Sequence, residues 1–408
     1  MIQRPDSNMP IFWRYFRILF VSHLLILGAF YLVIGCYVAA GGLNKSDLID
    51  LSGRPFGASF LPYWVASRLA KAGDPAAIFS RQEIYTGEKR VIGAEINPMV
   101  WHYPPAFLLM LLPFGFLPYA ISFICWLAVT GSGFVYVIQR LIPKTPLTWM
   151  VMVFPGTVNN ILYGQNGFLS AAILGGGLIL AERYPFGGGC LLGLLSYKPQ
   201  LAWLIPVALA AGRYWKALLG AVISAVGLAL ASLLVLGSSV WIAFFKDLPL
   251  AAGLMNRAQL WGKMPTVFAA SRLNGASPGL ATTMQAVAIG GIILAVGWVW
   301  FRRAPLPIRG SVLAAGIFLA TPYAFDYDLA ILALPFIWLG WEAYTHGSKF
   351  QEAFLLLVWA FLAWSTLGPH WILSWAMNFP FKVTALVAIV LLAVYRAARP
   401  LSDPSATA

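Results

Sequence analysis

Apolar runs of about 20 residues recur from Phe16 almost to the C-terminus, and that is the length a helix needs to cross a bilayer. The chain is 60% hydrophobic and 10% charged, where soluble domains carry roughly 25% charged residues. The expected fold is therefore all-α: a polytopic membrane protein of about 12 transmembrane helices. One polar stretch, Gly41 to Val100, interrupts the pattern and carries six of the 14 acidic residues. Chemistry that needs carboxylates must take place there or where a span breaks.

The net charge of +13 does not point to nucleic acid. The basic residues fall mostly at span ends, where they set topology and meet anionic lipid headgroups. Membrane lipids are thus the expected surroundings and no nucleic-acid partner is expected. Cys36, Cys125 and Cys190 lie in apolar segments, and His23, His102, His346 and His370 lack ligand spacing. No metal and no cofactor is expected.

Positive clusters mark the cytoplasmic side: Arg4/Arg14/Arg17, Arg140/Lys144, Arg183, Arg213/Lys216, Arg302/Arg303/Arg309, Lys349 and Arg396/Arg399. One topology satisfies them. The N-terminus is inside, and Phe16–Ala40 is a retained signal anchor rather than a cleaved signal peptide. Residues 41–100 form a long first outer loop. Residues 101–117, interrupted by Pro104, Pro105 and Pro113, are re-entrant or interfacial. Spans follow at about 119–139, 147–162, 168–181, 187–197, 200–212, 216–236, 280–301, 310–321, 328–345, 353–368 and 381–398. A second outer loop covers 237–279, residues 1–400 make one domain, and 401–408 are a disordered tail. In the first loop, Phe60–Ala72 reads as an amphipathic helix in the headgroup plane. Gly73 ends it, and Asp74-Pro75 starts another helix.

Four polar constellations should share the outer face: His102-Tyr103-Pro104-Pro105, Tyr163-Gly164-Gln165-Asn166-Gly167, Tyr197-Lys198-Pro199-Gln200, and Thr321-Pro322-Tyr323 leading to Asp326-Tyr327-Asp328. Lys198 is the strongest hint, because an intramembrane lysine costs roughly 3 kcal/mol on insertion scales. It could hold a lipid-linked phosphate, or it could snorkel to the headgroups. Gln165, Asn166 and Gln200 could bond phosphate or sugar oxygens, or satisfy backbone at span ends. Arg68 adds a basic group for the donor phosphate or lipid. Asp326 and Asp328 either cap a helix or act in catalysis. Asp50 lacks a capping duty and is the candidate general base by position. Trp64, His102, Tyr103 and Tyr323 are candidate sugar or acceptor contacts, and Trp101 could stack on a sugar face as Trp64 could.

These constellations, together with Phe60-Leu61-Pro62-Tyr63-Trp64, Ala72-Gly73-Asp74-Pro75-Ala76-Ala77 and Lys263-Met264-Pro265-Thr266-Val267-Phe268, resemble glycosyltransferase family 87 over residues from about 50 to 340. The resemblance implies a bacterial inner-membrane enzyme of the C-type glycosyltransferase superfamily with its active site facing the periplasm. It implies an inverting, metal-independent transfer of a hexose, mannose by resemblance, from polyprenyl phosphate to a lipid or glycan acceptor. It also implies an aspartate base directly before Phe60. Here that position is Ser59, which can cap a helix but cannot serve as that base. A loop carboxylate such as Asp50 substitutes, or activity is altered or lost. Two other functions stay open: a non-catalytic relative that binds polyprenyl phosphate, and a multispan transporter or flippase, against which stands the absence of matching repeat halves.

Overall fold

The computed structural model describes residues 57–93, 95, 99, 101–141, 154–345, 348–367 and 380–399. Phe16–Ala40, Asp50 and the tail fall outside these residues. Among the described residues every regular element is helical. Apart from two four-residue turns, the α-helices are α1 (Leu61–Lys71), α2 (Arg81–Ile92), α3 (Pro105–Leu111), α4 (Tyr119–Leu141), α5 (Pro155–Tyr163), α6 (Gly167–Arg183), α7 (Pro185–Gly193) and α8 (Leu204–Ala211). They continue as α9 (Trp215–Leu236), α10 (Ser238–Gly253), α11 (Val267–Leu273), α12 (Pro278–Phe301), α13 (Leu306–Leu319), α14 (Ala333–Thr345), α15 (Lys349–Leu367) and α16 (Phe381–Ala398).

Proline opens α3, α5, α7 and α12, where its missing N–H has no helical partner to lose. Of the described helices, α4, α9, α12 and α16 are long and apolar enough to cross a membrane. The span expected at 353–368 corresponds to α15, 19 residues and unbroken, while several others are shorter or broken. Residues expected as two spans at 187–197 and 200–212 form α7, a 3-10 turn Leu194–Tyr197, a four-residue helix Pro199–Ala202 and α8. The span expected at 328–345 begins as a 3-10 helix, Asp326–Leu332, before α14. The second outer segment is largely helical, through α10 and α11.

The centre of the bundle is α13, whose residues Ile308 to Leu319 are all buried among α12, α14 and α16. Beside it, α7 and α9 cross with almost no space between backbones. A Cβ on Gly189 would stand 1.9 Å from the Ala217 carbonyl oxygen, and one on Gly193 would stand 2.2 Å from that of Ala221. Gly189 and Gly193 are four residues apart, as are Ala217 and Ala221, so both pairs lie on one helix face. Small residues at this spacing drive close packing where water supplies no hydrophobic force. The crossing fixes α7, and α7 leads directly into the turn that carries Lys198.

The first-loop helix departs from expectation. In α1, Leu61, Tyr63, Val65, Ala66 and Ser67 are buried, and the Phe60 ring is enclosed by Phe114, Tyr119, Phe123 and Trp126. The apolar face therefore meets protein, not lipid headgroups. Nor does Ser59 cap it: Phe60 is the N-cap and no side chain bonds there. The end is as expected, with Gly73 at φ +93° and the Asp74 carboxylate accepting from the Ala77 N–H at 3.2 Å.

Candidate functional site

Lys198 owes its place to the proline that follows it. Pro199 disfavours helical backbone at the preceding residue, and Lys198 adopts φ −124°, ψ 78°. Its carbonyl starts the next turn, accepting from the N–H groups of Leu201 (2.9 Å) and Ala202 (3.1 Å). The side chain reaches inward and donates to Asp328 Oδ1. The lysine side chain is 1% exposed and the aspartate 2%. This excludes a snorkelling lysine. The Asp328 carboxylate also meets the Phe325 backbone N–H at the head of the 3-10 helix Asp326–Leu332, so a capping contact and the ion pair share one side chain. The Lys198 Nζ lies 4.9 Å from the Tyr327 ring centroid and 5.8 Å from that of Tyr103, within the range where an aromatic face attracts a cation.

Glycines let Asp328 come this close. A Cβ on Gly156 would stand 2.3 Å from the Ala330 nitrogen, and one on Gly167 would stand 2.2 Å from the Tyr327 oxygen. Asn160 completes the clamp by donating to the Tyr327 carbonyl at 2.5 Å and accepting from the Phe168 N–H at 3.2 Å. On the far side, Lys382 of α16 donates to Asp326 at 2.9 Å and to the Gly262 carbonyl at 2.6 Å. The two aspartates thus tie one 3-10 turn to two separate lysines.

All four constellations converge on this pair. Tyr63 donates to Gln165 Oε1 at 2.7 Å, and its hydroxyl lies 2.9 Å from that of Tyr103. Tyr197 stacks on Phe107 with centroids 4.8 Å apart. Its hydroxyl is 2.7 Å from Ser170 Oγ and 3.2 Å from the Asn166 carbonyl. Tyr323 lies within electrostatic reach of Tyr103, Asp328 and Asp247. The Asn166 side chain is fully buried at the start of α6, and neither its oxygen nor its nitrogen has a partner among the described residues. Such a group is costly unless something else bonds it.

Other expected residues stand apart. Trp64 turns away, donating to the Leu117 carbonyl at 2.9 Å and packing on Tyr119. Arg68 lies over the Trp64 ring and donates to the Gly115 carbonyl at 3.3 Å. Gln200 is half-buried and makes no hydrogen bond to another described residue. Trp101 is buried, its indole N–H bonded to the Tyr103 carbonyl at 2.9 Å. Ser59 sits beside the second constellation: its N–H donates to the Tyr163 carbonyl at 3.0 Å. Asp50 lies outside the described residues.

His102 Nδ1 lies 2.6 Å from Asp247 Oδ2 of α10, joining the first constellation to the second outer segment. Sequence reasoning missed this partner, because Asp247 lies 145 positions away. It missed Asn160 too, although an Asn159-Asn160 pair within an expected span was a usable signal. Among the described residues no group of three or more His, Cys, Asp or Glu could hold a metal.

The family model described as glycosyltransferase family 87 matches residues 101–322, more than half of the 408 residues. No curated protein and no solved structure matches.

Proposed function

The chain belongs to glycosyltransferase family 87, and from that premise we propose that this membrane glycosyltransferase moves a hexose from a polyprenyl-phosphate donor to a lipid or glycan acceptor. Mannose is the first sugar to test. The transfer takes place on the periplasmic face of the inner membrane and inverts the anomeric carbon.

One observation carries this reading: the four motifs meet at a fully buried Lys198–Asp328 pair ringed by tyrosines. A lysine ammonium has three N–H donors, and one is engaged by Asp328. The others can meet the oxygens of the donor phosphate. That phosphate gains charge as the bond to the sugar breaks, and a cation held in place in a dry site stabilises such charge far better than one in water. Asp328 acts through Lys198, keeping the ammonium aimed. The tyrosine hydroxyls and the unpartnered Asn166 amide supply donors and acceptors suited to sugar hydroxyls.

The test is sugar transfer in membranes supplied with polyprenyl-phosphate mannose and related donors. Transfer by the native chain and its loss in Lys198→Ala support the reading. Absence of transfer with every donor overturns it. Ser59 favours a second reading, a donor-binding relative without catalysis. Donor binding without transfer, with transfer appearing in Ser59→Asp, would establish that reading instead.

A further inference from the structure

We infer that His102, oriented by Asp247, is the group that takes the proton from the acceptor hydroxyl. This rests on the glycosyl-transfer reading above. The position expected to hold a carboxylate base carries Ser59, and a serine hydroxyl does not accept a proton near neutral pH. A base is still required, and a histidine within reach of the acceptor is suited to the task.

Three observations single out His102. Its Nδ1 faces a carboxylate oxygen at 2.6 Å, and both side chains are about nine-tenths buried. An ionised carboxylate only accepts hydrogen bonds, so this contact suits a ring that donates from Nδ1 and offers a lone pair at Nε2. Nε2 is itself buried and has no partner among the described residues. The next residue, Tyr103, places its ring 5.8 Å from Lys198 Nζ and its hydroxyl on Tyr63. Tyr323 interacts electrostatically with both Asp247 and Asp328. A base, a third group orienting it and a separate cation for the leaving group are the parts an inverting displacement needs.

The step balances without a further reactant. The acceptor oxygen bonds to the anomeric carbon as its proton passes to His102 Nε2. The bond from that carbon to the phosphate oxygen breaks, and polyprenyl phosphate leaves with the electron pair beside Lys198. The imidazolium, stabilised by Asp247, then gives its proton to water. Among the described residues, the titratable group that acts on the His102–Asp247 pair is Tyr323, from the segment before Asp326, through Asp247.

The experiment measures transfer rate against pH, and donor binding separately, in native, His102→Gln, Asp247→Asn and Asp50→Asn full-length protein in lipid. His102→Gln should lower kcat by about 10²-fold or more, the usual worth of a general base, with donor binding retained. Its pH–rate profile should lose the acidic limb present in the native protein. Asp247→Asn presents an amide N–H to Nδ1 and moves the ring proton to Nε2, so it should lose rate in the same way. In Asp50→Asn the acidic limb should persist. An unchanged profile in His102→Gln, or loss of the limb in Asp50→Asn alone, overturns the inference while leaving sugar transfer intact. If the native protein transfers no sugar, the functional reading fails and this inference with it.

Discussion

Two ion pairs sit in different settings. Lys198–Asp328 is dry on both sides, at 1% and 2% exposure, whereas in Arg309–Glu182 the arginine is 5% exposed and the glutamate 41%. Arg309 is also held by the Ala304 carbonyl at 3.2 Å and by the rings of Tyr214 and Trp300, 5.0 and 5.4 Å from its guanidinium carbon. Trp300 donates back to the Arg309 carbonyl at 3.0 Å. That pair is a latch with one side in solvent, and many contacts share its work. Lys198 has one carboxylate and two ring faces. Two charges taken fully out of water seldom stabilise a fold more than well-packed apolar residues would. The dry pair is therefore poorly accounted for by stability, which is why a role in transfer is proposed for it.

The largest expected effect separates these explanations. Asp328→Ala should destabilise the protein by about 3–5 kcal/mol, because it strands a buried ammonium. The double variant Lys198→Met/Asp328→Leu should recover most of that loss in thermal unfolding yet show no sugar transfer. Recovery of transfer in the double variant would make the dry pair another latch. Next in size is Asn166→Ala. It should leave unfolding unchanged or raise the midpoint, since the amide is unpartnered in the free protein, while transfer falls about 10-fold for a lost polar contact of ~1.4 kcal/mol. On the other side of the comparison, Glu182→Gln should cost under about 1 kcal/mol, as pairs reaching solvent do, with transfer unaltered. An effect on transfer there would erase the distinction between the two pairs.

Glu88 on α2 supplies a third case, a buried carboxylate that accepts from the Met99 N–H at 3.0 Å. Burial raises its pKa to about 8, only partly offset by that hydrogen bond. The fold favours the neutral form, so its contribution is fully present below the unfolded value near 4.5 and is lost as pH rises through about 8. Unfolding midpoints should therefore fall between pH 5 and pH 8.5 in the native protein, and less so in Glu88→Gln. Equal slopes in the two proteins would show that Glu88 is hydrated in solution.

Much of the site was legible as a list of motifs, and little of it as a set of contacts. Lys198 announced itself because a charge among apolar residues at a proline is costly anywhere in a membrane. Its bond to Asp328 was not legible, because nothing local links positions 130 residues apart. Trp64 and Arg68 were misplaced for a related reason. Their spacing marks one face of a helix but does not say whether that face meets lipid, ligand or protein. The broken run from Pro185 to Ala211 was visible as short apolar pieces. Its division into four helical segments depends on packing against α9 and α13.

The crossing of α7 and α9 bears on how freely this sequence can drift. At Gly189 and Gly193 a single added carbon would collide with the opposing main chain, and neither wall can yield. Replacing either should push α7 aside and carry the Lys198 ammonium off target, although neither glycine has a side chain to contribute. A saturation survey scored only on sugar transfer would then mark these two glycines as sharply as the tyrosines, and an observer without coordinates would mistake scaffold for chemistry.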